Sequence, residues 1–486
     1  MNTQTTLAAL MLAGSAVAET IHGVVVFSRH GDRTAKWYGN AKLTSLGAEQ
    51  VFQVGSEYRA RYLNSSSPQQ ILGISEDQYV GSQVFASAPN QPVLLNTATA
   101  FLQGLYPPLK DLDPELASQT LNNGSTSTSP LDGYQYVVLQ GVGDNSPDTI
   151  WIKGDDACPA YTNASKSFSQ SDEFKTRSEE TRDFYAKFYD MLHDGVYNIQ
   201  PENLTYANAF NIFDLINVAH IHNETSPAAN VSESDLFQLR TLADSAELDR
   251  NYNQSQPARA IGADTFSGAV LSHLNQTVAS QGKMKFSLLA GSYDTFLSFF
   301  GITGLVNVSN DFNGLPDYAS TMSFELFTEA TMTSFPQDQS DLRVRWLFKN
   351  GTTGELKAYP LFGSKVADLP YSQFVDEMGK LAITDVGTWC SKCGSPDDFC
   401  AAYNKDDSAS TKSDDSSSSS SSSGSGSGGM SNAVAGVIGA FVTLGVVAVV
   451  GGVAFLFMRK RRGNAVQHAP AEKRPSVGSD GNSGHV

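Results

Sequence analysis

The sequence predicts an α/β protein: a layered sheet core with helices on its faces, enlarged by a helical insertion and followed by one C-terminal transmembrane helix. Three observations carry this reading. Strand-like apolar runs alternate with helix-like periodicity in the first hundred residues, helical spacing fills residues 170–280, and residues 433–458 hold no charged side chain.

In chain order, residues 1–18 read as a signal peptide, with an apolar run ending in Ala16-Val17-Ala18 before Glu19. Residues 19–405 form the ectodomain. Its first strand, 21–28, is marked by the continuous run Val24-Val25-Val26-Phe27. A helix follows from Thr44, the expected N-cap, to Leu63, with Leu46, Val51, Val54, Tyr58 and Tyr62 near one face. A strand at 83–87 and a helix at 94–105 repeat the alternation. Residues 174–192, 207–222, 234–246 and 257–278 show apolar residues at three and four spacing, so about 170–280 is expected to be a helical insertion. Strand character returns at 283–290, 321–327 and 342–348, with a short helix at 294–302.

Residues 406–430 are dominated by Ser, Gly, Asp and Lys, which cannot bury enough apolar surface to fold and read as a flexible tether. At ~1.5 Å per residue, 433–458 would reach about 39 Å as a helix, enough to span a bilayer. Arg459-Lys460-Arg461-Arg462 follows directly, which places the tail 459–486 in the cytoplasm and the ectodomain outside or in a lumen, as a single-pass type I membrane protein. Ten Asn-x-Ser/Thr sequons between Asn64 and Asn350 agree with a glycosylated ectodomain. Its four cysteines lie where disulfides form, and three pairings are open. The formal net charge of −17 argues against nucleic acid as a partner.

The chemistry-bearing segment is Arg29-His30-Gly31-Asp32-Arg33-Thr34, at the carboxyl end of the first strand, where α/β sheets build ligand sites. Two guanidiniums around an imidazole suit a phosphate: the arginines hold it by charge-assisted bonds while the ring nitrogen attacks phosphorus. Gly31 lets the backbone come close. His193, His220, His222 and His273, on expected helices of the insertion, read as packing or surface residues.

That segment, with Leu43-Thr44-x-x-Gly47-x-x-Gln50 and Gly55-x-x-Tyr58-Arg59-x-Arg61-Tyr62 after it, resembles the start of the histidine acid phosphatases. The resemblance implies a phosphoglycerate-mutase-like core and a phosphomonoester substrate hydrolysed through a phosphohistidine, with no metal or organic cofactor. By position it makes His30 the nucleophile, Arg29 and Arg33 phosphate ligands, and Asp294 the proton donor. Two departures stand out. Tyr293 replaces the histidine expected before Asp294, and the third arginine expected after Ala86-Ser87 is missing, Asn90 and Gln91 being the nearest polar side chains. Tyr293 and Gln91 are therefore candidate substrate contacts. The alternative is a catalytically impaired surface protein that binds phosphorylated or cell-wall ligands.

Overall fold

Consecutive apolar side chains at positions 24–27 serve both faces of one strand. In the computed structural model, which describes residues 19–193 and 197–403, β1 (Thr20–Arg29) is buried along its whole length. Val24 and Val26 join Val51, Val54 and Phe101 in one apolar cluster, while Val25 and Phe27 join Phe266, Phe296 and Phe324 in another. A strand covered on both faces cannot alternate with polar residues, hence the unbroken run.

The remaining strands are β2 (Val84–Pro89), β3 (Ser118–Thr120), β4 (Thr126–Thr128), β5 (Gln140–Val142), β6 (Phe286–Gly291), β7 (Thr321–Thr328), β8 (Leu342–Lys349), β9 (Lys357–Ala358) and β10 (Asp368–Pro370). β3 and β4 pair only with each other; the others form one eight-stranded sheet in the order β10-β8-β7-β1-β6-β2-β5, with β9 on β8. β1 runs parallel to β6 and antiparallel to β7, and β2 lies parallel to both β6 and β5. The carboxyl ends of β1, β6 and β2 therefore share one edge. Register places Arg29 beside Gly291, so the loops that leave β1 and β6 start as neighbours.

The fold is thus a mixed α/β sheet with helices on its faces, in agreement with the sequence. α1 (Ser45–Tyr62) starts behind Thr44 as expected and packs with α2 (Pro92–Leu105) on one face. Between β5 and β6 every described regular element is helical, and the principal ones are α3 (Ala209–His222), α4 (Glu233–Asn251) and α5 (Ile261–Ala279). α5 belongs to the sheet: Phe266, Val270 and Leu274 lie in the apolar cluster of the second face. The helix expected over 174–192 is instead three short pieces. Thr181, whose hydroxyl bonds back to the Arg177 carbonyl at 2.7 Å, interrupts it. The strand expected from residue 283 begins at Phe286, because Gln281 and Gly282 make a turn at positive φ.

α3 and α4 build their own apolar cluster with Phe188, Tyr206 and Phe213, and Tyr293 and Leu297 from α6 (Tyr293–Ile302) complete it. All four cysteines are paired, Cys158 with Cys393 and Cys390 with Cys400. Glu325, at 0 % exposure on β7, accepts from Arg61 at 2.8 Å, from Tyr62 at 2.7 Å and from Arg345 at 2.7 Å. Among the described residues no helix is long and apolar enough to cross a membrane, and the apolar stretch 433–458 lies outside them.

Candidate active site

The motif after β1 is held by the residues that made it look familiar. The Thr44 hydroxyl accepts from Gly47 N at 3.0 Å and donates to the Asp32 carboxylate, while Gln50 Oε1 accepts from Asp32 N at 2.8 Å. Gly31 and Gly47 allow the loop to touch the first turn of α1. A Cβ on Gly31 would fall on the Gly47 carbonyl, and one on Gly47 would fall on the Asp32 carbonyl. Gly47→Ala is therefore expected to push the loop outward and lower kcat/KM for an aryl phosphate by about 10²-fold, the scale of a 1 Å misplacement. Steady-state kinetics checks this.

His30 is 3 % exposed. Its Nδ1 lies 2.9 Å from the Gly31 carbonyl, which can only accept, so Nδ1 carries the proton and Nε2 keeps its lone pair. Burial, together with the positive charges of Arg29 and Arg33, holds the imidazole pKa well below its ordinary value. The ring stays neutral, and so nucleophilic, at pH values where an exposed imidazole would be cationic.

Arg29 and Arg33 are both buried. Arg29 donates from Nη1 to the Pro316 carbonyl, and burial lowers its pKa to about 10. Arg33 pairs through Nη1 with both oxygens of Asp214 on α3, at 2.9 and 3.0 Å. Three guanidinium nitrogens, Arg29 Nε, Arg33 Nε and Arg33 Nη2, are buried without a hydrogen-bond partner. Buried donors of this kind call for an acceptor, and an anionic phosphate oxygen suits a guanidinium. The Tyr318 ring stands over the same group, 4.9 Å from Arg29, 5.9 Å from Arg33 and 5.7 Å from the His30 ring. With Arg29, Phe210, Phe213, Asp214 and Arg240 it lines a cavity of about 230 Å³.

The loop after β6 brings in Tyr293 and Asp294. Asp294, in the first turn of α6 and partly exposed, accepts from Ser292 Oγ at 2.9 Å. Asp155 lies within its electrostatic reach, and burial, then the Asp294 charge, lifts the Asp155 carboxyl to about 6. Tyr293 departs from expectation. Its hydroxyl donates to Glu247 on α4 at 2.9 Å and is thereby committed within the protein. What Tyr293 turns toward Arg29 is its ring, 5.3 Å away. Gln91 is partly exposed just past β2, with no side-chain bond to the helix it precedes, and, like His30, Arg33, Tyr293 and Asp294, it is not among the residues that line the cavity.

Sequence reasoning passed over Asp214, Tyr318 and His222. The last was read as a packing or surface residue, yet its Nε2 contacts the Asp32 carboxylate at 2.5 Å. Asp214 and His222 sit in the helical pattern of 207–222 and Tyr318 in none, and no sequence signal tied any of the three to the motif.

A family model described as the histidine phosphatase superfamily, branch 2, matches residues 34–349, starting one residue past Arg33. Prostatic acid phosphatase from Homo sapiens is 22 % identical over 396 residues, covering 77 % of this chain and 89 % of that protein. Its counterpart from Mus musculus is also 22 % identical over 396 residues, covering 77 % and 90 %. Among solved structures, Hafnia alvei phytase in complex with myo-inositol hexakis sulphate matches with a TM-score of 0.49 at 12 % identity, covering 76 % of this chain and 98 % of the other.

Proposed function

The chain belongs to branch 2 of the histidine phosphatase superfamily, and on that premise we propose that it hydrolyses phosphomonoesters through a phosphohistidine at His30. The observation that carries this reading is the set of three buried, unpartnered guanidinium nitrogens of Arg29 and Arg33 beside an imidazole kept neutral. His30 Nε2 attacks phosphorus as the P–O bond to the leaving alcohol breaks. Asp294 gives its proton to the departing oxygen, and water, deprotonated by the same carboxylate, then cleaves the phosphohistidine to restore the imidazole. Arg29 and Arg33 hold the phosphoryl oxygens as charge moves between them. Asp214 keeps Arg33 in place through its two contacts with Nη1.

The Asp155–Asp294 pair sets a pH limit. Asp155 has its pKa raised from 3.8 to about 6 in the folded chain, so its protonated form contributes stability below 3.8 that is lost as pH rises through about 6. Above that pH Asp155 is ionised, and its negative charge, within electrostatic reach of Asp294, disfavours an anionic phosphate ester in the site. Phosphate release from an aryl phosphate is therefore expected to be maximal at acidic pH and to fall through about pH 6. In Asp155→Asn the fall near pH 6 disappears. A wild-type profile flat from pH 4 to about 8 would refute this pH limit.

The committed Tyr293 hydroxyl and the missing third arginine favour a second reading, binding of phosphorylated ligands without turnover. Phosphate bound at the arginines of a chain that releases none from any monoester would establish it. In either case the tether 406–430, the apolar stretch 433–458 and the basic residues after it support display from a membrane, the folded region outside or in a lumen. Within that region none of the ten sequon asparagines is buried.

A further inference from the structure

Tyr293 takes the position at which the resemblance to histidine acid phosphatases expects an imidazole, a side chain that carries positive charge at acidic pH. A phenol brings none. The structure nevertheless places a cation there. Lys36, in the turn Lys36–Tyr38 just past the motif, sets its ammonium over the Tyr293 ring, 4.8 Å from the centroid, and 5.2 Å from the Phe210 ring centroid. Aromatic faces hold an ammonium without neutralising it. Among the described residues no carboxylate forms an ion pair with this one, and the side chain is exposed, so a ligand can reach it.

Its placement is tied to the rest of the site. Lys36 N donates at 2.8 Å to Asp214 Oδ2, and the same carboxylate holds Arg33. One acceptor thus fixes the guanidinium and the backbone of the lysine together. The ammonium charge is felt at His30, where it adds to the arginines in keeping the imidazole neutral, and at Asp155 and Glu247.

We propose that Lys36 is a phosphate-binding residue whose ammonium, seated on the Tyr293 ring, supplies the positive charge that the absent imidazole would have supplied. Tyr293 is then a positioning residue: Glu247 anchors its hydroxyl, and its π-face orients the lysine. The inference deepens the phosphatase reading and rests on it for the place of the phosphate.

The test uses the full-length chain and two readouts, calorimetric affinity for inorganic phosphate and kinetics on an aryl phosphate. Lys36→Met is expected to weaken phosphate binding about tenfold and to lower kcat/KM by about 10²-fold, the scale of losing one preorganised charged donor, with an unchanged thermal midpoint. Lys36→Arg regains most of both. Adding Tyr293→His to Lys36→Met recovers at least about tenfold in kcat/KM by returning the imidazole. Lys36→Met with phosphate affinity and kcat/KM within about twofold of wild type overturns the proposal, because a charge in the site cannot be that silent. So does Lys36→Arg performing no better than Lys36→Met. A wild type that binds phosphate through Lys36 yet turns nothing over leaves the lysine assignment standing and removes the hydrolase; a wild type that binds no phosphate removes both.

Discussion

Alanine at position 30 is expected to lower phosphate release from an aryl phosphate by about 10⁴-fold or more, the scale on which coupled sites fail when the nucleophile is deleted. The expectation rests on the geometry of one ring. The Gly31 carbonyl fixes the proton on Nδ1, and burial with two guanidiniums keeps Nε2 free at pH values where an exposed imidazole would be cationic. Among the described residues no other histidine meets those conditions: His222 contacts the Asp32 carboxylate, and His273 packs against Phe85 in the core. Rapid-quench experiments with labelled substrate separate chemistry from binding. Wild type should yield an acid-labile, base-stable phosphoprotein, and His30→Ala should yield none while keeping phosphate affinity through Arg29 and Arg33. A labelled intermediate that survives in His30→Ala would move the nucleophile elsewhere.

The second large effect is on stability and lies away from the cavity. Glu325→Leu is expected to destabilise the folded chain by about 3 kcal/mol, the lower end for breaking a buried ion pair. Glu325 is fully enclosed and takes five hydrogen bonds, two each from Arg61 and Arg345 and one from Tyr62. The partners retain some solvent contact, at 27 % and 18 % exposure, which moderates the loss. Urea denaturation measures it, as a lower midpoint at unchanged slope. Glu325→Gln should lose less because an amide oxygen still accepts from one arginine. An unchanged midpoint in Glu325→Leu would show that the arginines find other partners.

The motif loop was legible because its restraints are local. Thr44, Gly47 and Gln50 all act on Asp32 within twenty residues of chain, and their identities follow from a cap, a close backbone approach and a side-chain acceptor. The first strand and helix were legible for the same reason. Distant partners were not. Arg33 waits for Asp214 at a sequence separation of 181, Tyr293 for Glu247 at 46, and Asp32 for His222 at 190. No periodicity announces a pairing across such distances. Tyr318, in the irregular stretch before β7, had neither a helical nor a strand pattern to mark it. The sequence also showed that a histidine was absent before Asp294; it could not show that a lysine nine residues after Phe27 would turn its ammonium to the tyrosine that replaced it.

α3 reaches the motif loop at two points, Asp214 to Arg33 and His222 to Asp32, so the helical layer is part of the proposed phosphate seat. Damage there has a characteristic order of symptoms. A substitution that loosens α3 from its neighbours would first cost the chain its grip on phosphate, with the sheet, the disulfides and the overall spectroscopic signature of folding still intact. Variants collected for poor ligand retention at normal abundance should therefore cluster in this layer as well as around the imidazole.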